Sequence, residues 1–214
     1  MLPRFKILLA SRNPGKVREI ASTLAPLGIQ VVSLDQIDPN GRISAPAEDG
    51  ETFAENARNK ADYYARQVSL PALADDSGLL VDALGGAPGV RSARFAQENF
   101  PPQASQADID KANNTKLISA LNGIDESKRT ARFVCCLALS DGQKILAESS
   151  GAIEGVIARL PHGNNGFGYD PLFFIPDLGL TAAELTPEEK NRISHRGLAV
   201  RKFAAILKEM LENP

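Results

Sequence analysis

The chain has little of what would mark a secreted, membrane or polymer-binding protein. It carries two cysteines, Cys135 and Cys136, adjacent in an apolar run. Neighbours on a strand point to opposite faces, so the pair reads as two small buried hydrophobes, not a disulfide or metal site. Histidine is as scarce. His162 and His195 are far apart, and neither forms a zinc-type cluster with the cysteines. No apolar run reaches the roughly 18 residues that a membrane helix needs. The start, Met1-Leu2-Pro3-Arg4-Phe5-Lys6, lacks the parts of a signal peptide, and the expected location is cytoplasmic. A formal net charge of −2 and a pI of about 5.8 give no basic field for a nucleic-acid polymer. No Ser/Gly linker, charge block or internal repeat divides the sequence. Residues 1–214 are therefore expected to form a single domain, with room for two lobes.

The stretch richest in chemistry is Ala74-Asp75-Asp76-Ser77-Gly78-Leu79, set between two apolar runs. Adjacent carboxylates resist joint ionisation. A divalent ion such as Mg²⁺ relieves that, because it takes one or two carboxylates plus substrate phosphates. The same residues also suit a solvated hairpin turn, and the stretch alone leaves both readings open.

Near the N-terminus, residues 5–10 form a short apolar run that predicts a buried strand. Ser11-Arg12-Asn13-Pro14-Gly15-Lys16 follows, and then Val17, Ile20, Leu24 and Leu27 recur at helical spacing. Ser11 or Asn13 can cap that helix, and Pro14 suits its first position. A strand running into a helix N-terminus, with a hydroxyl, an amide and a lysine, offers an anion site with free backbone N–H groups. An ordinary capped helix with a solvated Lys16 fits the spacing as well. The loop is not a Walker P-loop, which needs a longer Gly-rich segment before Lys-Ser/Thr.

Thr52-Phe53-Ala54-Glu55 predicts a capping box, opening a helix with Phe53, Ala57, Ala61, Tyr64 and Val68 on its core face. The acidic loop before it offers Glu48 as a metal or water ligand. Residues 132–140, 144–149 and 151–158 predict successive antiparallel strands, the first two joined by an Asp141-Gly142 turn. The Gly/Asn loop of residues 161–171 holds Phe167 and Tyr169, either of which could stack on a base. Thr186 and Pro187 start a short helix containing Lys190, and Ser194-His195-Arg196-Gly197 opens the last one. A His-Arg pair at a helix start opposes the helix dipole, which favours a neutral His195 and an Arg196 with an anionic or carbonyl partner.

Taken in order, these stretches resemble one family. The residues are Ser11-x-Asn13-x-x-Lys16-x-x-Glu19, Thr52-Phe53-x-Glu55-Asn56-Ala57-x-x-Lys60-Ala61, Ala74-Asp75-Asp76-Ser77-Gly78-Leu79 and Gly85-Gly86-Ala87-Pro88-Gly89. They continue with Gly166-Phe167-Gly168-Tyr169-Asp170-Pro171, Ala182-Ala183-Glu184-Leu185 and Lys190…Ser194-His195-Arg196-Gly197. The set is similar to the bacterial inosine/xanthosine triphosphate pyrophosphatases, from about residue 7 to residue 205. The resemblance implies an α/β fold, an elongated mixed β-sheet with flanking helices and two lobes around a central active-site cleft. It implies a Mg²⁺-dependent homodimer that cleaves inosine, deoxyinosine and xanthosine triphosphates to the monophosphate and pyrophosphate. By position it makes Ser11, Arg12, Asn13, Pro14, Gly15 and Lys16 the triphosphate loop. Asp76 becomes the proton acceptor and a metal ligand, with Glu48 as the second metal-site acid. Ser77 touches substrate, and Phe167, Gly168, Tyr169, Asp170, Lys190, His195 and Arg196 line the nucleoside site. Lys60 and Asp75 are further contacts. Position 12 is often glycine in that family and is arginine here.

Overall fold

The computed structural model describes residues 5–212, so the signal-peptide reading of residues 1–6 lies mostly outside them. The residues pack as two compact units. The first holds the described residues up to Asp76, then Cys135–Gly151, and those from Arg196 onward; the second holds Ser77–Val134 and Ala152–His195.

In the first unit, β1 (Phe5–Leu9) pairs in parallel with β2 (Ile29–Ser33) and with β3 (Ala72–Val81). A parallel strand flanked by helices is buried on both faces, which is why Ile7, Leu8 and Leu9 are all apolar and inaccessible. Ile7, Leu9 and Leu73 pack with Ile20 and Leu24 of α1 (Pro14–Leu24) and with Val200, Phe203 and Leu207 of the last helix. Their neighbours in sequence face another cluster. Leu8 and Ala72 pack with Tyr64 and Ala65 of a helix spanning Phe53–Val68, and Ala74 packs with its Ala57 and Ala61. A short α2 (Leu34–Ile37) precedes that helix, which is thus α3.

The second unit contains α4 (Gln106–Ala120), β6 (Phe173–Ile175), β7 (Leu180–Thr181) and α5 (Pro187–Ile193). Leu79, Val81, Leu117, Leu121, Phe133, Ile157, Leu172 and Phe173 form its core. β3, β4 (Thr130–Ser140) and β5 (Ile145–Ile157) each contribute residues to both units. The sheet is mixed and seven-stranded, in the order β2-β1-β3-β4-β5-β6-β7. β6 is antiparallel to both β5 and β7. The last helix, α6, spans His195–Glu212. Among the described residues no helix is long and apolar enough to cross a membrane.

Three local expectations are corrected. Ser77-Gly78 makes no hairpin: β3 runs unbroken from Ala72 to Val81, because the apolar residues on both sides stay in register with the sheet. Residues 144–149 and 151–158 are one strand, not two, because Gly151 is buried and the in–out alternation of β5 passes through it. At Thr52 the capping box is half made. The Thr52 hydroxyl accepts from the Glu55 amide at 3.1 Å, but the Glu55 carboxylate accepts from the Glu51 amide instead of that of Thr52. Residues 90–96 fall largely in a 3₁₀ helix, Gly89–Arg94. β7, two residues long, carries no periodic signal and was not anticipated.

Candidate active site

Strand geometry separates the two aspartates. Consecutive side chains on β3 point to opposite faces, so Asp75 meets residues of α1 and α6 while Asp76 meets α3. The picture of two like charges sharing one cation is corrected accordingly. Asp75 is buried and accepts from Lys16 Nζ at 2.7 and 3.0 Å, with Arg196 Nε at 3.6 Å. Burial alone would raise its pKa, but the charges of Lys16 and Arg196 and the Lys16 hydrogen bonds outweigh that and hold it far below the usual carboxylate range. Asp75 therefore acts as a fixed anion between two cations.

A depressed folded pKa contributes stability that is complete above the ordinary value of 3.8 and fades as pH falls toward the folded value. Asp75→Asn should lower unfolding stability at pH 7 by up to about 3 kcal/mol, since two partly buried cations lose their partner. Urea unfolding at several pH values should show this gap constant from pH 7 to about 5 and narrower near pH 3. A gap as wide at pH 3 as at pH 7 would contradict the assignment.

Asp76 sits in a different environment. Burial raises its pKa above the ordinary value, against the opposing Lys60 charge and a hydrogen bond from Asn56 Nδ2 to its Oδ2 at 3.0 Å. The Glu48 and Asp75 charges raise it further. Lys60 Nζ lies 3.6 Å from the other oxygen, Oδ1, and 2.6 Å from Glu48 Oε1. Glu48, Asp76, Asn56 and Lys60 are thus one cluster. Asn56, buried and absent from the predicted site, is its organiser. Its Oδ1 accepts from the Gly50 amide at 2.8 Å while its Nδ2 holds Asp76. A Cβ at Gly50 would lie 2.6 Å from that Oδ1, so the acidic loop needs glycine there. The signal for Asn56 was in the sequence, since it lies three residues after Phe53, beside the apolar stripe.

At the start of α1, Asn13 is the cap. Its Oδ1 accepts from the amides of Gly15 and Lys16 at 2.8 and 3.2 Å, and Pro14 takes the first helical position. The expectation of free N–H groups is corrected at those two amides. An anion here meets the dipole end and Lys16. Ser11 Oγ accepts from the Asn13 amide at 3.1 Å. The Arg12 guanidinium is held by Asp35 at 2.6 Å and Asp38 at 2.9 Å. Position 12 has no positive φ, so the loop does not require glycine there.

The second unit gathers the remaining predicted residues, apart from Arg196. Asp170 is buried, accepts from the Phe167 amide at 2.8 Å and forms an ion pair with Lys190. Lys190 Nζ also lies 4.9 Å from the centre of the Phe167 ring. Gly166 has φ +79°, and a Cβ there would collide with the Asp170 carboxylate. Of the two aromatics, either of which could stack, only Phe167 is available, at 55% exposure. Tyr169 is buried, and its hydroxyl donates to the Ser92 carbonyl at 2.8 Å, which makes it a strut of the loop. Gly168 is gripped from α4, which the sequence did not indicate. Its amide donates to Asp110 Oδ2 at 2.7 Å, and its carbonyl accepts from Asn114 Nδ2 at 2.9 Å. His195 is buried with its ring stacked on Phe133, centroids 5.0 Å apart. Ser77 follows Asp76 directly in β3 and is half-buried.

Among the described residues, no three of His, Cys, Asp and Glu cluster as a cation site. The fit to a divalent ion therefore rests on Glu48 and Asp76. Both are hard oxygen donors, and the Lys60 ammonium already places a positive charge against both.

The chain is 48% identical over 205 residues to the dITP/XTP pyrophosphatase of Desulforamulus reducens, covering 96% of each. The solved structure of a HAM1 protein from Coxiella burnetii matches with a TM-score of 0.84 and 42% identity, covering 96% of this chain and 99% of that one. A nucleoside-triphosphatase, dITP/XTP pyrophosphatase, from Mycobacterium abscessus matches at TM-score 0.74 and 41% identity, over 94% of this chain and 98% of that one. The Ham1 family model matches residues 7–206, nearly the whole chain. By its sequence and its fold, the chain belongs to the Ham1 family.

Proposed function

We propose that the chain hydrolyses deoxyinosine, inosine and xanthosine triphosphates between the α and β phosphates, releasing pyrophosphate and the monophosphate. Such a reaction keeps deaminated purines out of DNA and RNA. The observation that carries this reading is the cluster of Asp76, Glu48, Lys60 and Asn56, with Lys16 held on Asp75. The names of its relatives, dITP/XTP pyrophosphatase, support the substrate class.

In this reading Lys16 and Lys60 neutralise the triphosphate, helped by the N-terminal end of α1. Ser11 to Gly15 shape the loop by backbone and cap contacts. Asp76 accepts the proton of the attacking water, and Asn56 fixes the carboxylate in place. Glu48 and Asp76 would hold Mg²⁺, which when bound offsets phosphate charge and favours attack at phosphorus. Ser77 contacts the substrate. Phe167 stacks on the base, Gly168 and Tyr169 hold the loop, and Asp170, Lys190, His195 and Arg196 complete recognition of the nucleoside. The enzyme works as one domain, as a homodimer, on free nucleotides in the cytoplasm. The slightly acidic charge balance supports free nucleotides over polymers.

The test is product analysis with inosine triphosphate, with Mg²⁺ added or withheld. Pyrophosphate, not phosphate, should appear, and only with metal. Lys16→Ala should raise KM for the triphosphate and lower kcat, because charge on the phosphates changes toward the transition state. Its effect on binding of the monophosphate product should be smaller. Equal loss for both ligands would mean that Lys16 does not read the β and γ phosphates.

A further inference from the structure

Lys60 projects from the middle of α3, and its side chain is 15% exposed. Its ammonium faces Glu48 Oε1 and Asp76 Oδ1, the carboxylates assigned above to the divalent ion. An ammonium and a dication compete for those lone pairs, and at contact distance they repel. The Asp76 carboxylate is divided between its two oxygens. Asn56 holds Oδ2, and Lys60 faces Oδ1. Withdrawing Lys60 therefore frees Oδ1 without loosening the group. The four-carbon stem of lysine permits that withdrawal. The cluster is also balanced: Lys16, Lys60 and Arg196 stand against Glu48, Asp75 and Asp76.

We propose, resting on that reading of the site, that Lys60 is an internal counter-cation which the metal displaces. Free metal then binds poorly, because it must first separate Lys60 from Glu48. A triphosphate arriving with the metal gives the displaced ammonium a new partner. Metal and nucleotide consequently bind with positive coupling.

The test uses Mn²⁺ as the probe and nucleotide-free protein, read by the paramagnetic resonance signal of unbound Mn²⁺. Lys60→Met and Lys60→Gln should bind Mn²⁺ about 5- to 150-fold tighter than wild type, the ordinary range of coupling between two ligands. A second measurement needs no variant. Acetic anhydride labelling read by mass spectrometry should show Lys60 protected in the metal-free protein and more reactive with saturating Mg²⁺. Displaced from Glu48 and Asp76, its amine is then open to the reagent. A lysine that merely repelled the metal would stay paired and protected. Unchanged or weaker Mn²⁺ binding in both variants overturns the proposal, as does Lys60 labelling that metal leaves unchanged or lowers. Adding Glu48→Gln and Asp76→Asn to Lys60→Met separates this failure from failure of the parent reading. Tight Mn²⁺ binding that survives those changes would place the metal elsewhere.

Discussion

Asp76→Asn is expected to lower kcat for inosine triphosphate by about 10²–10⁴-fold, the range of a positioned acid–base group. The change removes the proton acceptor and one charged oxygen facing the cation. It should leave the fold nearly intact. Asn at 76 can still accept the Asn56 Nδ2 hydrogen bond, and the side chains match in volume. Its amide would face Lys60 donor to donor, a local strain at an otherwise unchanged site. Single-turnover rates alongside thermal unfolding would separate the two effects, and activity within a few-fold of wild type at normal stability would sink the assignment. The pH profile gives a second check. A base works when deprotonated, and Asp76 titrates above the ordinary 3.8 in the free protein. Wild-type kcat/KM should therefore fall on the acid side at a pH above that value, because protonated Asp76 cannot accept the proton.

The second large effect concerns base choice. Hypoxanthine and xanthine present a carbonyl oxygen at C6, where adenine presents an amino group. A fixed donor paired with that oxygen faces the amino group donor to donor, and each buried donor left unpaired costs about 1–3 kcal/mol. Sites built on such hydrogen bonds can discriminate by as much as ~10⁴. Guanine shares the oxygen and must be turned away at its 2-amino group. Inosine and xanthosine triphosphates should therefore be strongly preferred over ATP and GTP in kcat/KM. We assign the donor to Arg196 or to a backbone N–H beside it. Arg196→Ala also disturbs Asp75, 3.6 Å from Arg196 Nε, so a general loss is expected for every substrate. The diagnostic quantity is the ratio, and turnover of inosine triphosphate should fall much further than that of ATP. An unchanged ratio removes Arg196 from base recognition, and comparable wild-type kcat/KM for ATP and inosine triphosphate refutes the functional reading.

Much of this was legible in the residues, in proportion to how local each signal was. Helix starts were read correctly at Pro14, Phe53 and Pro187 because their caps lie within a few residues. The acids Glu48 and Asp76 and the lysines Lys16 and Lys60 were found as types, but not their pairing. That Asp75 takes Lys16 while Lys60 takes Glu48 depends on which helix covers which face of β3, a long-range fact. Asp110, Asn114 and Ser92 were missed for the same reason, since each acts on residues 168–169, more than fifty positions away. Tyr169 was misjudged because an aromatic among glycines has the same composition whether it stacks on a ligand or braces a loop.

The alternation of β3 also limits how this stretch can vary. Asp75 and Asp76 perform different tasks only because one lies at an odd and the other at an even position relative to Leu73. Inserting or deleting a single residue between Leu73 and Asp75 would turn each carboxylate toward the other's helix. Asp76, which we assign to the metal, would then face Lys16, and Asp75 would face Lys60. Substitutions here act one side chain at a time, whereas a change of length disables both at once. The spacing from Leu73 to Asp76 is thus as much a functional property of the chain as the identity of either aspartate.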